Sequence, residues 1–229
     1  MTPLIRARGL RKLYRLPAET IAAVDGVDLD IAQGEFISLM GPSGSGKTTL
    51  LDVLGCLDGA SEGSLAVFGQ EVSTMGEKAL VSVRRQGIAF VFQEFLLIPT
   101  LTAAENVALP LCFAGRKPDP ERVREALARV GLEHRTGHLP RQLAGGDRQR
   151  VAVARALATG PRILFADEPT GNLDSRNARA VFDMLRELNE RDGLTIVAAT
   201  HSPELGENAR RRLRLRDGKV VSDSGAPSP

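Results

Sequence analysis

Residues 41–48 read Gly-Pro-Ser-Gly-Ser-Gly-Lys-Thr, which matches the phosphate-binding pattern G-x-x-x-x-G-K-[ST]. Glycines let such a loop close around phosphate groups, so that its backbone N–H groups point at them. Lys47 would reach the outer phosphates, and the Thr48 hydroxyl would bind Mg²⁺. The loop side of this predicted nucleotide site consists of Gly41, Pro42, Ser43, Gly44, Ser45, Gly46, Lys47, Thr48 and Thr49.

Two adjacent carboxylates, Asp167 and Glu168, follow the apolar segment 163–166. Open α/β sheets present ligand-binding groups where their strands end. Asp167 would hold the hydration shell of Mg²⁺, and Glu168 would polarise the water that attacks a phosphate. Either residue alone could be a solvated acid in a turn, but together with the loop they favour nucleotide hydrolysis.

The elements needed to position these groups can be read from hydrophobic spacing. The loop lies between the apolar run 36–40 and the helical spacing of leucines in 49–57, which is the strand–loop–helix context that the pattern requires. Asp119 is predicted to cap a helix that has Pro120 at its first position, within a largely helical stretch at 75–137. Further strands are predicted at 4–10, 27–31 and 88–92. Strands at 163–166 and 195–199 alternate with a helix at 178–188, an order that indicates a parallel sheet covered by helices.

Composition narrows the class of protein. The 229 residues are 42% hydrophobic and 25% charged, which excludes a disordered, collagen-like or disulfide-stapled chain. A net charge of +2 gives no electrostatic footprint for nucleic acid, and no apolar run approaches the ~18 residues that cross a bilayer.

The two cysteines, Cys56 and Cys112, are expected to be buried thiols of a reducing compartment. Five arginines at 210–216 could contact acidic lipid, although a solvated face beside an edge strand is favoured.

Four further segments complete a resemblance to the ATP-binding-cassette (ABC) ATPases over nearly the whole chain. They are Gln93, Leu-Ala-Gly-Gly-Asp-Arg-Gln-Arg at 143–150, Asn-Leu-Asp at 172–174, and His201. Residues 92–93, 101–107 and 166–174 resemble most closely the lipoprotein-releasing (LolD) and macrolide-export (MacB) branch. The resemblance implies an α/β P-loop NTPase fold, an ABC nucleotide-binding domain with a mixed-sheet core, an antiparallel β subdomain and a helical subdomain. The single domain would span 1–222, with the helical subdomain at about 94–160 inserted in the RecA-like core and a disordered tail at 223–229.

The resemblance also implies roles for individual residues. Tyr14 would stack on adenine, its alternative being an ordinary packing role. Gln93 would contact Mg²⁺ or water and sense the membrane subunit, His201 would hydrogen-bond the γ-phosphate, and Asp174 would communicate across a dimer. The implied catalytic residues are Lys47, Glu168 and His201, and the implied metal site is Thr48, Gln93 and Asp167.

The segment 144–146 is implied to close over the nucleotide of a second cassette. Gly145 and Gly146 expose backbone N–H groups at the start of a helix, so the positive end of that helix can meet the γ-phosphate. The family usually has Ser at the position of Ala144. A hydrogen bond to a charged group contributes roughly 1.5–3 kcal/mol. The loss of the serine hydroxyl therefore predicts that ATP-driven dimerisation is weaker by about ten- to hundredfold.

ATP and Mg²⁺ are the implied ligands, and the implied partners are a transmembrane permease subunit and a second, identical cassette. No nucleic acid partner is expected, and contact with the membrane would be indirect, at the cytoplasmic face of the inner membrane. The predicted function is to power this permease in export or lipoprotein release. One alternative is a regulatory switch that acts on an extracytoplasmic enzyme without transport. Another is a cassette for DNA repair or translation, which the short connections between the motifs disfavour.

Overall fold

Strands and helices alternate along the chain, and the structure, a computed structural model, describes residues 2–17, 19–113, 119–202, 206–207 and 209–225. The strands are β1 (Ile5–Arg15), β2 (Thr20–Ile31), β3 (Phe36–Met40), β4 (Glu62–Val67), β5 (Gln70–Glu71), β6 (Ile88–Val91), β7 (Ile163–Asp167), β8 (Thr195–Thr200), β9 (Arg211–Arg216) and β10 (Lys219–Asp223). The helices are α1 (Lys47–Leu54), α2 (Glu77–Arg84), α3 (Ala103–Phe113), α4 (Pro120–Ala128), α5 (Gly145–Leu157) and α6 (Ser175–Asp192), with 3₁₀ turns at Glu133–Arg135 and Pro140–Gln142.

The strands form two sheets, as the ABC resemblance implied. One is antiparallel with the order β2-β1-β4-β5. The other has the order β10-β9-β3-β8-β7-β6, and it is mixed because β10 alone runs antiparallel to its neighbour β9. The first two predicted strands, at 4–10 and 27–31, lie in the antiparallel sheet. The predicted fold class is confirmed.

Alternate residues of the central strands feed two separate apolar cores, because successive side chains of a strand point to opposite faces. Ile163 and Phe165 of β7 pack with α1 and the antiparallel sheet. Leu164 and Ala166 pack on the other face with α5 and α6. β3 is buried along its whole length, as expected for a strand covered on both sides. The predicted phosphate-binding loop follows β3 and so begins at the end of a fully buried strand.

The helical region packs on α5. Helices α3 and α4 contact α5, which also contacts α6 and β6, so one apolar core runs from the sheet into this region. Asp119 caps α4 by accepting a hydrogen bond from the Glu121 N–H, and Pro120 lies at the first helical turn, as predicted. Residues 114–118 lie outside the described part of the chain, and the subdomain boundaries at 94 and 160 stay a prediction.

Two sequence-based expectations about apolar residues are wrong. α1 ends at Leu54 rather than near Leu57, because the chain turns at Gly55 and adopts a positive φ of 59° at Cys56, which leaves Leu57 exposed. A Cβ on Gly55 would lie 2.1 Å from Cζ of Phe90, so the turn is also packed too tightly for a side chain. Cys56 is buried as expected, whereas Cys112, near the end of α3, is exposed.

The C-terminal hairpin is ordered slightly further than expected. Asp223, placed in the predicted disordered tail, is the last residue of β10 and pairs with Arg211 (Nη2 to Oδ2, 2.6 Å). Arg211 also pairs with Glu35 (3.0 Å), so it is not part of the solvated arginine face, which Arg212, Arg214 and Arg216 form. Residues 226–229 of the predicted tail lie outside the described residues. Within the described ranges, no helix combines the length and apolar character needed to cross a membrane.

Candidate nucleotide-binding site

The phosphate-binding loop is held by backbone contacts at both of its ends. It leaves β3 at Met40 and enters α1 through Gly46, which has a left-handed φ of 98°. A Cβ on Gly46 would lie 2.1 Å from the Ala23 carbonyl oxygen, and one on Gly41 would lie 2.4 Å from that of Leu215. Only glycine fits at these two positions, so the spacing of the motif reflects how closely β2 and β9 approach the loop.

Lys47 lies inside the loop that precedes it. Its ammonium group donates hydrogen bonds to the carbonyl oxygens of Gly41 (2.9 Å) and Pro42 (3.1 Å), and it lies 4.0 Å from Oε1 of Glu168. The side chain is buried, which strengthens its electrostatic interactions. The cation therefore already spans the mouth of the loop, where it can exchange the carbonyl oxygens for phosphate oxygens.

Thr48 and Asp167 meet where α1 begins and β7 ends. The Thr48 hydroxyl donates to Oδ2 of Asp167 at 2.9 Å. The other carboxylate oxygen, Oδ1, is buried and has no hydrogen-bond partner among the described residues. Buried polar atoms are rarely left unsatisfied, and hydroxyl and carboxylate oxygens are the donors that Mg²⁺ prefers. These two residues thus fit the magnesium site expected from the sequence.

Glu168 adopts an unusual backbone conformation, with a left-handed φ of 46°. Such strain in a non-glycine residue persists only where its surroundings hold it, and it is concentrated at functional sites. Here the Glu168 N–H donates to the Ala199 carbonyl (3.0 Å). The side-chain oxygen Oε2 accepts a hydrogen bond from the His201 N–H (3.2 Å) and lies 2.8 Å from His201 Nδ1. β7 and β8, being neighbours, bring the two predicted catalytic side chains together.

Gln93 follows β6 at the same edge of the sheet, and its partner was not anticipated from the sequence. The Asn172 side chain donates to the Gln93 carbonyl (3.0 Å) and accepts from the Gln93 side chain (3.4 Å). A Cβ on Gly171 would lie 2.8 Å from Gln93 Nε2. Gln93 is therefore joined to the segment after Glu168. The only sequence signal for this contact was that Asn172 belongs to the motif Asn-Leu-Asp at 172–174.

Asp52 is an acid near the site that sequence reasoning missed. It lies in α1, one turn after Thr48, and burial and then the neighbouring charge of Asp167 raise its pKa above the ordinary value of 3.8. The pKa of Asp52 therefore depends on the charge at the Thr48–Asp167 pair. No sequence signal pointed to Asp52, because the phosphate-binding pattern ends at Thr48.

Tyr14 lies in β1, on the antiparallel sheet. The residue is 41% exposed, with Nζ of Lys12 5.4 Å from the ring centroid and the hydroxyl 3.4 Å from Oδ2 of Asp58. This exposure fits the alternative of a partly buried packing residue. It also leaves surface that can stack on a flat ligand, so stacking on adenine stays a prediction.

Residues 144–146 and Asp174 lie together. Ala144 is the N-cap of α5 and provides no side-chain hydrogen bond, while Asp174 caps α6 by accepting from the Asn177 N–H (2.9 Å). That hydrogen bond, with one from the Asn177 side chain, lowers the pKa of Asp174. A Cβ on Gly146 would lie 2.7 Å from Oδ1 of Asn177, so the two helix starts are in close contact. The nearest neighbours of Gly145 and Gly146 are Leu173 and Asn177, which lie on either side of the start of α6.

Comparisons with known proteins agree on one family. The ABC transporter family model matches residues 24–171. The uncharacterized ABC transporter ATP-binding protein YknY of Bacillus subtilis is 44% identical over 223 residues, which are 96% of each chain. The macrolide export ATP-binding/permease protein MacB of Escherichia coli is 43% identical over 228 residues, which are 99% of this chain but only 35% of MacB.

Solved structures give the same result. The dimeric structure of a post-hydrolysis state of the ATP-binding cassette MJ0796, bound to ADP and Pi, aligns with a TM-score of 0.87 and 41% identity, over 98% of this chain and all of that one. A second dimeric structure of MJ0796, titled a bacterial ABC transporter cassette, aligns equally well, at 42% identity.

Proposed function

The chain belongs to the ABC transporter family of ATP-binding ATPases, and from this premise we propose that it is an energy-coupling subunit that uses MgATP to drive a separate transmembrane permease. The observation that carries this proposal is the convergence of Lys47, the Thr48–Asp167 pair and the Glu168–His201 pair at one edge of the mixed sheet. Charge neutralisation, metal binding and activation of water are the requirements of phosphoryl transfer.

Each residue has a chemical task in this proposal. The loop 41–46 and Lys47 bind the phosphates, and Thr48 and Asp167 hold Mg²⁺ with Gln93 nearby. Bound Mg²⁺ supplies positive charge that offsets the charge developing on the phosphate oxygens. Glu168 orients the attacking water and accepts its proton, while His201 fixes the carboxylate and hydrogen-bonds the γ-phosphate. Tyr14 stacks on the adenine, and Thr49 lies beside the phosphates at the start of α1.

Residues 144–146 are proposed to bind the nucleotide held by a second, identical cassette. They lie at the N-terminal end of α5, packed against the start of α6, where exposed N–H groups can meet a phosphate. Asp174, which is ionised and adjacent, would transmit the state of one site to the other. The dimeric structures of the similar cassette MJ0796 support this arrangement.

The permease is proposed to dock on the helical region beside Gln93. Two exposed apolar side chains follow Gln93, Leu96 (53% exposed) and Ile98 (38%), and Phe113 at the end of α3 is 75% exposed. Exposed apolar groups of this kind are typical of protein interfaces. Contact through such a partner would hold the chain peripherally at the cytoplasmic face of the inner membrane. Similarity to the macrolide export protein MacB supports an export system, and lipoprotein release is the other form of transport proposed.

Co-purification tests the docking proposal and identifies the partner. The tagged chain is extracted with its membranes in detergent and captured, and a permease is expected to follow it. Leu96→Asp should lose this partner while ATP hydrolysis is retained, because Leu96 has a left-handed φ of 47° that Asp tolerates well. Val221→Asp is the control, since Val221 is 58% exposed on β10, away from Gln93.

The captured partner also decides between transport and regulation. A permease with a channel or substrate-carrying extracytoplasmic domain supports energy coupling, whereas one bound to a cell-wall hydrolase supports the regulatory switch. Capture of no membrane protein, or equal capture by Leu96→Asp, would contradict the docking site.

A further inference from the structure

The hairpin formed by β9 and β10 meets the phosphate-binding loop through backbone atoms. Asp217 and Gly218 are the central residues of its turn, with left-handed φ angles of 51° and 76°. The Gly218 N–H donates to the Ser45 carbonyl (3.0 Å), and the Gly218 carbonyl accepts from the Asp25 N–H (2.9 Å). One residue near the C-terminus therefore links the loop to β2.

There is no room for a side chain at this junction. A Cβ on Gly218 would lie 2.9 Å from the Ala22 carbonyl oxygen and 3.1 Å from that of Ala23. A Cβ on Gly46 would lie 3.5 Å from the Gly218 Cα. These neighbours are backbone atoms, which cannot rotate away as a side chain can, so a substitution at Gly218 must displace the hairpin, β2 or the loop.

The hydrogen bond from Gly218 constrains the direction of a loop N–H group. In a planar trans peptide the carbonyl and the following N–H point in opposite directions. Because Gly218 holds the Ser45 carbonyl, the Gly46 N–H is directed away from the hairpin. A loop binds phosphate when its N–H groups converge on one point, so the orientation of this peptide affects the affinity for phosphate.

We propose that Gly218 is a positioning residue for nucleotide binding. Its backbone fixes the Ser45–Gly46 peptide and holds the phosphate-binding loop at a set position relative to the antiparallel sheet, which carries Tyr14. This inference rests on the proposed function, since it assumes that the loop binds ATP. Gly218 lies outside all the motifs by which the nucleotide site was identified.

Gly69 provides a matched control. It occupies the same position in the turn between β4 and β5, where Phe68 and Gly69 have φ angles of 52° and 79°, close to those of Asp217 and Gly218. A Cβ on Gly69 would have no neighbour within 4 Å in the described structure. Alanine at either glycine thus introduces the same left-handed strain, but only at Gly218 does it displace the loop.

Steady-state hydrolysis of MgATP by the full chain tests the proposal. Gly218→Ala should raise KM for MgATP by about tenfold, the effect of weakening one hydrogen bond to a charged group, with kcat within about twofold of wild type. Gly69→Ala should change neither constant beyond about twofold. A purely structural role would lower the active fraction, and therefore kcat, without moving KM.

An unchanged KM in Gly218→Ala, or the same change in both variants, would overturn the proposal. If Gly218→Ala does not fold, Gly218→Asn gives the same comparison, because Asn tolerates a left-handed φ while still carrying a Cβ. A wild-type chain that does not hydrolyse ATP contradicts the proposed function itself, whereas an active wild type with an unaffected variant contradicts the positioning role alone.

Discussion

At the scale of single residues, the acid proposed to activate water is held from both sides. The backbone strain of Glu168 is stabilised by its hydrogen bond to Ala199, and its carboxylate is held by His201. Lys47 lies 4.0 Å from Oε1 of the same carboxylate and places a positive charge beside it. Specific contacts therefore position both the backbone and the side chain of Glu168.

Glu168→Gln should reduce ATP turnover by at least about a hundredfold, because the amide cannot accept the proton of the attacking water. ATP binding should persist, and ATP should then trap a dimer detectable by gel filtration. Glu187→Gln, on the exposed face of α6, is the control and should retain wild-type turnover. Near-normal hydrolysis by Glu168→Gln would remove Glu168 from this role.

Asp52 predicts a pH-dependent effect on stability. Its raised pKa means that the folded state binds the proton more tightly than the unfolded state does, so the ionised form destabilises the fold above that pKa. Asp52→Asn should therefore raise Tm at pH 7 in the absence of nucleotide and Mg²⁺. The gain should fade as the pH falls through the raised pKa towards 3.8.

Thermal unfolding monitored by circular dichroism at several pH values measures this gain. The control is Asp183→Asn, an exposed acid on α6 that pairs with Arg186 on the surface and should give no gain. A Tm difference between Asp52→Asn and wild type that does not vary between pH 4 and pH 8 would contradict the assignment.

At the scale of elements, helix starts govern the functional surface. The N-caps of α1, α5 and α6 are Gly46, Ala144 and Asp174, and each lies in a predicted motif. Exposed N–H groups and the positive end of a helix attract phosphate, so a helix used for binding gains from leaving its first turn uncapped by a side chain. Gly46 and Ala144 provide no such cap, whereas α4, which has no proposed ligand, is capped by Asp119.

Asp119→Ala tests whether α4 is a purely structural helix. Removing the N-cap should lower the stability of the chain by about 1 kcal/mol, a fall in Tm of about 2–4 °C. ATP turnover should stay within about twofold of wild type. Glu125→Ala, at an exposed position of the same helix, should leave Tm nearly unchanged, and an equal loss in both variants would contradict the capping role.

At the scale of the whole molecule, the two parts of the proposed nucleotide site lie on different elements of one chain. The loop 41–48 lies between β3 and α1, and the segment 144–146 packs at the start of α6. We therefore propose that a complete site requires a second copy and that ATP joins the two. Ala144 replaces the serine usual in the family, which reduces the polar contacts available across that junction.

Ala144→Ser should tighten ATP-driven dimerisation by roughly ten- to hundredfold, through a hydrogen bond to the γ-phosphate. The dissociation constant of the dimer is best measured by analytical ultracentrifugation with ATP in the Glu168→Gln background. Serine would also cap α5 and raise the stability of the monomer by about 1 kcal/mol, which thermal unfolding without nucleotide measures separately. A stabilised monomer with unchanged dimer affinity would contradict the contact with phosphate.

The sequence by itself determined the family and the fold class, and it predicted most of the residues proposed for the nucleotide site. The information is local: a glycine pattern between a strand and a helix, acids at the end of a buried strand, and Asp119 followed by Pro120 at a helix start. Such signals depend on residues close together in the chain, so they can be recognised without knowledge of the tertiary structure. The exposure of Cys112 and the early end of α1 at Gly55 were missed, because packing and not local pattern decides them.

Only the tertiary structure decided which distant segments touch. In the structure, Asn172 hydrogen-bonds to Gln93, and the charge of Asp167 raises the pKa of Asp52. The Gly218 N–H donates to the Ser45 carbonyl. These contacts link residues far apart in sequence through backbone atoms or through space. The side chains involved leave no periodic pattern or motif from which their approach could be inferred, and in the case of Gly218 there is no side chain at all.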